Sequence, residues 1–169
     1  MDMQFFMDLM MHYGGIAIFV IVLLEYLNLP GFPAGVIMPL AGIWAASGGM
    51  NFFLAILITV AAGLTGSIAL YGLGRLGGDF FLKKYYKKFP KHKDVVETKI
   101  QYLREKGSVG IIVSKLIPMV RTLISIPAGV MKMNFVNYVV SSAIGVFLWN
   151  LVFVGAGYVL GDAAFTILA

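Results

Sequence analysis

Charged and apolar positions are sharply segregated along this chain. Residues 26–74 and residues 133–161 contain no Asp, Glu, Lys or Arg at all. One helical crossing of a bilayer takes roughly 20 apolar residues, for a hydrocarbon core about 30 Å thick. The first stretch is long enough for two passes and the second for one tilted pass. Residues 50–75 predict a spanning helix, with Ala62, Gly63 and Gly66 spaced for close helix contact. Residues 133–162 predict another. Residues 1–25 predict an N-terminal helix that meets Glu25 before it has fully spanned.

Two segments are apolar yet unfit for a straight helix. Residues 26–49 hold Pro30, Pro33 and Pro39 together with Gly31, Gly35 and Gly42. Each proline removes a backbone donor and clashes with the preceding turn, so no continuous helix is expected. The segment is nevertheless uncharged and belongs at membrane depth, where irregular backbone survives only inside protein or beside a watery cavity. A re-entrant hairpin is the expected form. Residues 107–132 repeat this chemistry, with Pro118 and Pro127 as breaks and Lys115 and Arg121 near the middle. Between the halves, residues 79–106 place Val96, Ile100 and Leu103 at helical spacing among charges, which predicts an amphipathic helix in the membrane interface.

The halves echo one another in letters as well as pattern. Pro33-Ala34-Gly35-Val36 recurs as Pro127-Ala128-Gly129-Val130, and Met50-Asn51-Phe52 recurs as Met133-Asn134-Phe135. The spacing of the second pair also relates Gly72 to Gly155, Gly74 to Gly157, Gly78 to Gly161 and Asp79 to Asp162. The expected fold is therefore an all-α integral membrane protein, with a re-entrant helical hairpin plus a transmembrane helix occurring twice. Residues 107–132 are expected to enter and leave by one face, which makes the repeats inverted; a complete crossing would make them parallel. Interrupted segments at matching places in inverted halves are the best sequence pointer to a transporter's midplane site.

Composition agrees and adds an orientation. Charged residues make up 12% of 169, about half the share of a soluble domain, and mean hydropathy is +0.90. Ten of the 13 cations fall between Arg75 and Lys106, which gives that window a net charge of +6. Short loops rich in Lys and Arg stay inside, so the 75–106 loop is expected to be cytoplasmic and the chain multi-pass in a cytoplasmic membrane. The N-terminus lacks the basic start and small-residue cleavage site of a signal peptide, so mature protein is expected from Met1. Cysteine is absent, and His12 and His92 stand alone, so neither a metal site nor a cofactor is expected. An enzyme is not expected either. The histidines lack acid–base company, and Asp79 and Asp162 fall at helix ends rather than as a pair at depth.

An ionised side chain at mid-bilayer costs about 2.5–3.5 kcal/mol and usually faces a cavity or a partner. Glu25, Lys115 and Arg121 are the three candidates. A guanidinium clamps phosphate with two parallel donors and an ammonium adds a point charge, which suits an anionic lipid headgroup. Snorkelling of Lys115 to the interface and a purely structural Glu25–Arg121 pair are the plainer readings.

These residues carry a resemblance. The run from Ser114 to Phe135, SKLIPMVRTLISIPAGVMKMNF, looks like the signature of the DedA family, also described as the VTT or SNARE-associated domain. Gly66, Tyr71, Gly74 and Arg75 are similar to its G-x-x-x-x-Y-x-x-G-R stretch, and Leu29 to Gly42 to its first hairpin. The resemblance implies a bacterial lipid flippase or scramblase, moving undecaprenyl phosphate or a phospholipid such as phosphatidylethanolamine. It implies substrate binding by Arg121, Lys115 and Glu25, with Pro118 and Gly129 in the binding motif and Glu25 as the proton-coupling candidate. Two acidic positions of the pattern are Gly35 and Ser67 here, so coupling would rest on Glu25 or be absent. Membrane lipids are the expected partners, nucleic acid is not, and a homodimer is the assembly kept open. A small-ion antiporter or channel is the alternative.

Overall fold

Two asparagines open the longest helices. The Asn51 side chain accepts the Phe53 amide at 2.9 Å, and that of Asn134 accepts the Asn137 amide at 3.1 Å. Each satisfies a donor that a helix start would otherwise leave bare. The computed structural model describes residues 8, 11–27, 36–88, 93–118 and 120–168, and among these it is all-helical. In chain order the helices are α1 (Gly15–Tyr26), α2 (Ile37–Ala46), α3 (Phe52–Lys88), α4 (Lys93–Lys115), α5 (Val120–Leu123), α6 (Ser125–Val130) and α7 (Phe135–Leu168).

Two stretches are long and apolar enough to cross a membrane, Phe52–Gly78 and Phe135–Gly161, each of 27 residues. At 1.5 Å per residue each is about 40 Å long. Both are sheathed in exposed apolar side chains, among them Phe53, Leu57 and Leu73 on α3 and Val136, Val140, Phe147 and Val152 on α7. Water would leave a patch of that size uncovered, whereas lipid tails solvate it. Both stretches end at a glycine bend of one geometry, Gly78 (φ 41°, ψ −137°) and Gly161 (φ 44°, ψ −128°). Positive φ is disfavoured for a residue with a Cβ, so glycine lets the chain turn where the apolar run stops. By contrast α1 and α2, of 12 and 10 residues, are too short to cross alone.

The chain divides into two compact units, one of Met1–Thr65 with Phe147–Ala169, the other of Gly66–Val146. In the first, α1 packs on α2, and Gly42 of α2 lies against the Val154 carbonyl and the Tyr158 amide of α7. Gly157 of α7 lies in turn against the Pro39 carbonyl. The second unit has the same contact in other residues. Gly129 of α6 lies against the Tyr71 carbonyl and the Arg75 amide of α3, and Gly74 against the Ile126 carbonyl. A Cβ at any of the four would collide with backbone.

That correspondence corrects the register read from the sequence. Gly42 does in the first unit what Gly129 does in the second, so the recurrence of Pro-Ala-Gly-Val lies seven residues from this structural match. Pro33, Ala34 and Gly35 themselves lie outside the described residues, as do Pro30 and Gly31. The proline reasoning also needs amending. Pro39 and Pro127 each sit third in a helix, α2 and α6, rather than interrupting one. In the first turn the amide has no intrahelical partner to lose, so proline is tolerated there. Helix covers 79–88 and 93–106 of the basic window, and Leu103 is buried against Tyr71, Ile111, Ile124, Ala128 and Tyr138.

Candidate functional site

Two cations flank one turn in the second unit. A glycine bend at Gly107 (φ 53°, ψ −128°) starts the short helical limb that ends at Lys115. Amides of Leu116 and Ile117 close the turn onto the carbonyls of Val113 and Ser114, at 3.1 and 3.3 Å. Pro118, which can donate no amide, accepts from Val120 at 2.7 Å, and Arg121 then bonds back to Ile117 at 3.0 Å. The backbone fixes both cations six positions apart. Each is only 1% exposed.

Neighbouring hydroxyls hold the lysine. Its Nζ donates to Ser67 Oγ at 2.8 Å and to Ser125 Oγ at 3.1 Å. Its stem runs along α7 at Gly145, where a Cβ would stand 3.0 Å from the lysine Cγ and 3.2 Å from the Ile112 carbonyl. Tyr138 closes the wall, donating to the Ser67 carbonyl at 3.0 Å and stacking on Tyr71 at 4.4 Å and 20°. Tyr71 donates to the Met133 carbonyl and accepts from Arg75 Nη1 at 2.6 Å. Arg121 follows six positions on, beyond the turn. Charge-assisted bonds offset part of the cost of burying the ammonium, and two like charges together favour an anion between or beside them.

The residues expected to form the site are distributed as follows. Lys115 and Arg121 come together in the second unit, with Pro118 exposed on the turn between them. Gly129 belongs to the same unit, but its surroundings are those of a packing glycine, pressed onto the α3 backbone. Glu25 is 3% exposed on α1 in the first unit. Sequence reasoning missed Ser125, Tyr138 and Gly145, and it noted Ser67 only for replacing an acid. One signal was readable: Ser67, Tyr71 and Arg75 recur every four residues and so share one face of a helix.

An ammonium held by two hydroxyls, with a buried guanidinium six positions along the chain, is chemistry that can hold a tetrahedral oxyanion. The serine oxygens already accept from the ammonium, which suits holding a ligand better than attacking one.

The model of the VTT domain matches residues 29–159. An uncharacterised membrane protein of Bacillus subtilis, YbfM, is 33% identical over 94% of this chain and 98% of its own length. Undecaprenyl phosphate transporter A of the same organism is 31% identical, over 90% of this chain and 73% of that protein. A Lactococcus lactis protein named alkaline phosphatase-like is 26% identical, over 94% of this chain and 76% of its own length. No solved structure gives a significant match. A match across most of the chain, by a family model and by relatives above 30% identity, makes this protein a member of the VTT-domain family, the DedA family of membrane proteins.

Proposed function

We propose that the protein moves an anionic phospho-lipid, undecaprenyl phosphate in the first instance, across the bacterial cytoplasmic membrane. The observation that carries this reading is the burial of Lys115 and Arg121 on either side of one turn. Charge at that depth is expensive, and the residues that carry it usually line a substrate path or face a partner. A guanidinium and an ammonium both bind a phosphate headgroup, whose tail stays in the bilayer. The printed name of the B. subtilis transporter supports the choice of lipid. Phosphatidylethanolamine is the other candidate cargo, and a small-ion antiporter or channel the other class.

The finer architecture belongs to the same proposal. Residues 26–49 and residues 107–132 are re-entrant, the two halves form an inverted repeat, and the 75–106 loop faces the cytoplasm. The matched glycine contacts and matched glycine bends support this. Glu25, buried on α1, is the proton-coupling candidate, and a homodimer is the assembly kept open.

Transport by purified protein in liposomes tests the reading. Arg121→Glu is expected to insert and fold yet lose at least about tenfold of the transport rate, the effect of one charged contact of roughly 1.4 kcal/mol. Wild-type transport by that variant would remove the proposal. The same vesicles report inorganic phosphate, and its release from a prenyl pyrophosphate would favour an enzyme instead.

A further inference from the structure

The buried lysine is linked to the surface by a ladder of polar side chains on α3. Ser67, Tyr71 and Arg75 follow at intervals of four, covering about 12 Å along the helix axis. At the deep end Ser67 holds Lys115 Nζ. At the shallow end Arg75 is exposed, one turn before the Gly78 bend where the apolar span stops. Tyr71 and Tyr138, both at 2% exposure or less, stack between the two ends.

Arg75 is not a loose surface cation. The Tyr71 hydroxyl, itself fixed on the Met133 carbonyl, accepts from one guanidinium nitrogen. The Arg75 amide lies beside Gly129, and the Gly129 carbonyl accepts the Lys132 amide at 2.9 Å. Lys132 is a second exposed cation, in an unusual positive-φ conformation (53°), on the residue next to Met133. Two exposed cations thus border one small region of backbone, with the guanidinium oriented by a buried tyrosine. A guanidinium with one nitrogen tethered keeps donors for a phosphate oxygen.

We propose that Arg75, with Lys132 beside it, is a second binding site, a surface dock for a phosphomonoester headgroup on its way to or from Lys115 and Arg121. Tyr71 is its positioning residue, and the stacked tyrosines are the barrier the headgroup must pass. The proposal rests on the transport reading above. The chemistry recognised is a doubly charged phosphate, carried either by a lipid or as the free ion.

Transport and binding by the full chain in nanodiscs and liposomes separate the cases. Arg75→Gln is expected to raise the half-saturating lipid concentration about tenfold, the value of one charge-assisted bond, and to leave the maximal rate within about twofold. Tyr71→Phe, which keeps the ring stack, is expected to raise it in the same direction. Arg75→Lys, which keeps the charge, is expected to return it to within about threefold of wild type; failure of lysine to rescue would assign Arg75 to structure and overturn the dock. Binding of farnesyl phosphate and of inorganic phosphate is then measured on Arg121→Gln protein, in which the deep site is impaired. Farnesyl phosphate binding lost on adding Arg75→Gln supports a lipid dock, and inorganic phosphate binding lost in the same way supports a dock for the phosphate group whatever carries it. Unchanged half-saturation in Arg75→Gln, with transport lost in Arg121→Gln, would overturn the dock and leave the deep site standing. Normal transport by both variants would remove the transport reading and the dock together.

Discussion

At the scale of single residues, the buried lysine depends on what its neighbours lack. Gly145 has no Cβ where the Lys115 stem passes, and a methyl there would meet the lysine Cβ and Cγ. Gly145→Ala is therefore expected to push Nζ off Ser67 and Ser125 and to cut transport about tenfold, by loss of roughly one charge-assisted bond. Gly72→Ala, at a glycine with open space around it, is the matched control and is expected to transport normally. Equal activity of the two variants would show that the lysine's position is unimportant. Lys115 and Arg121 were legible in the sequence because charge in an apolar run is rare and costly. Ser125, Tyr138 and Gly145 were not, because hydroxyls and glycine are ordinary in membrane helices. Only folding brings Tyr138 to Ser67, 71 positions away.

At the scale of elements, short helices are held onto long ones by backbone contact through glycine. Gly42 of α2 against α7 and Gly129 of α6 against α3 are the two instances, and their carbonyl and amide neighbours correspond residue for residue. Each admits a helix-to-helix approach that a methyl would forbid, and overpacking of that kind costs about 1–3 kcal/mol. Gly42→Ala and Gly129→Ala are expected to lower the thermal unfolding midpoint in detergent by similar amounts, followed by tryptophan fluorescence. A Gly42→Ala protein as stable as wild type would break the equivalence. The sequence showed the long helices, the broken segments between them and the spacing from Met50-Asn51-Phe52 to Met133-Asn134-Phe135. It misled on the short helices, because the most obvious recurrence, Pro-Ala-Gly-Val, is seven residues out of register.

At the scale of the whole molecule, the proposed transport requires that residues 26–49 and residues 107–132 each enter and leave the bilayer by one face. Only then do the two halves invert, and only then do the cations of residues 107–132 lie in a cavity rather than along a complete span. The basic window supplies the expected sidedness, through the preference of Lys and Arg for the inside. The absence of cysteine from the chain makes this directly measurable, because any thiol label reports an introduced residue. Lys106→Cys and Lys132→Cys bracket the second pair of short helices at exposed positions, and Ser47→Cys lies at the exposed end of α2. With a membrane-impermeant maleimide, the account predicts that Ser47→Cys reacts in intact cells. Lys106→Cys and Lys132→Cys are predicted to react only after the cytoplasmic face is opened. Labelling of Lys106→Cys and Lys132→Cys from opposite faces would contradict it.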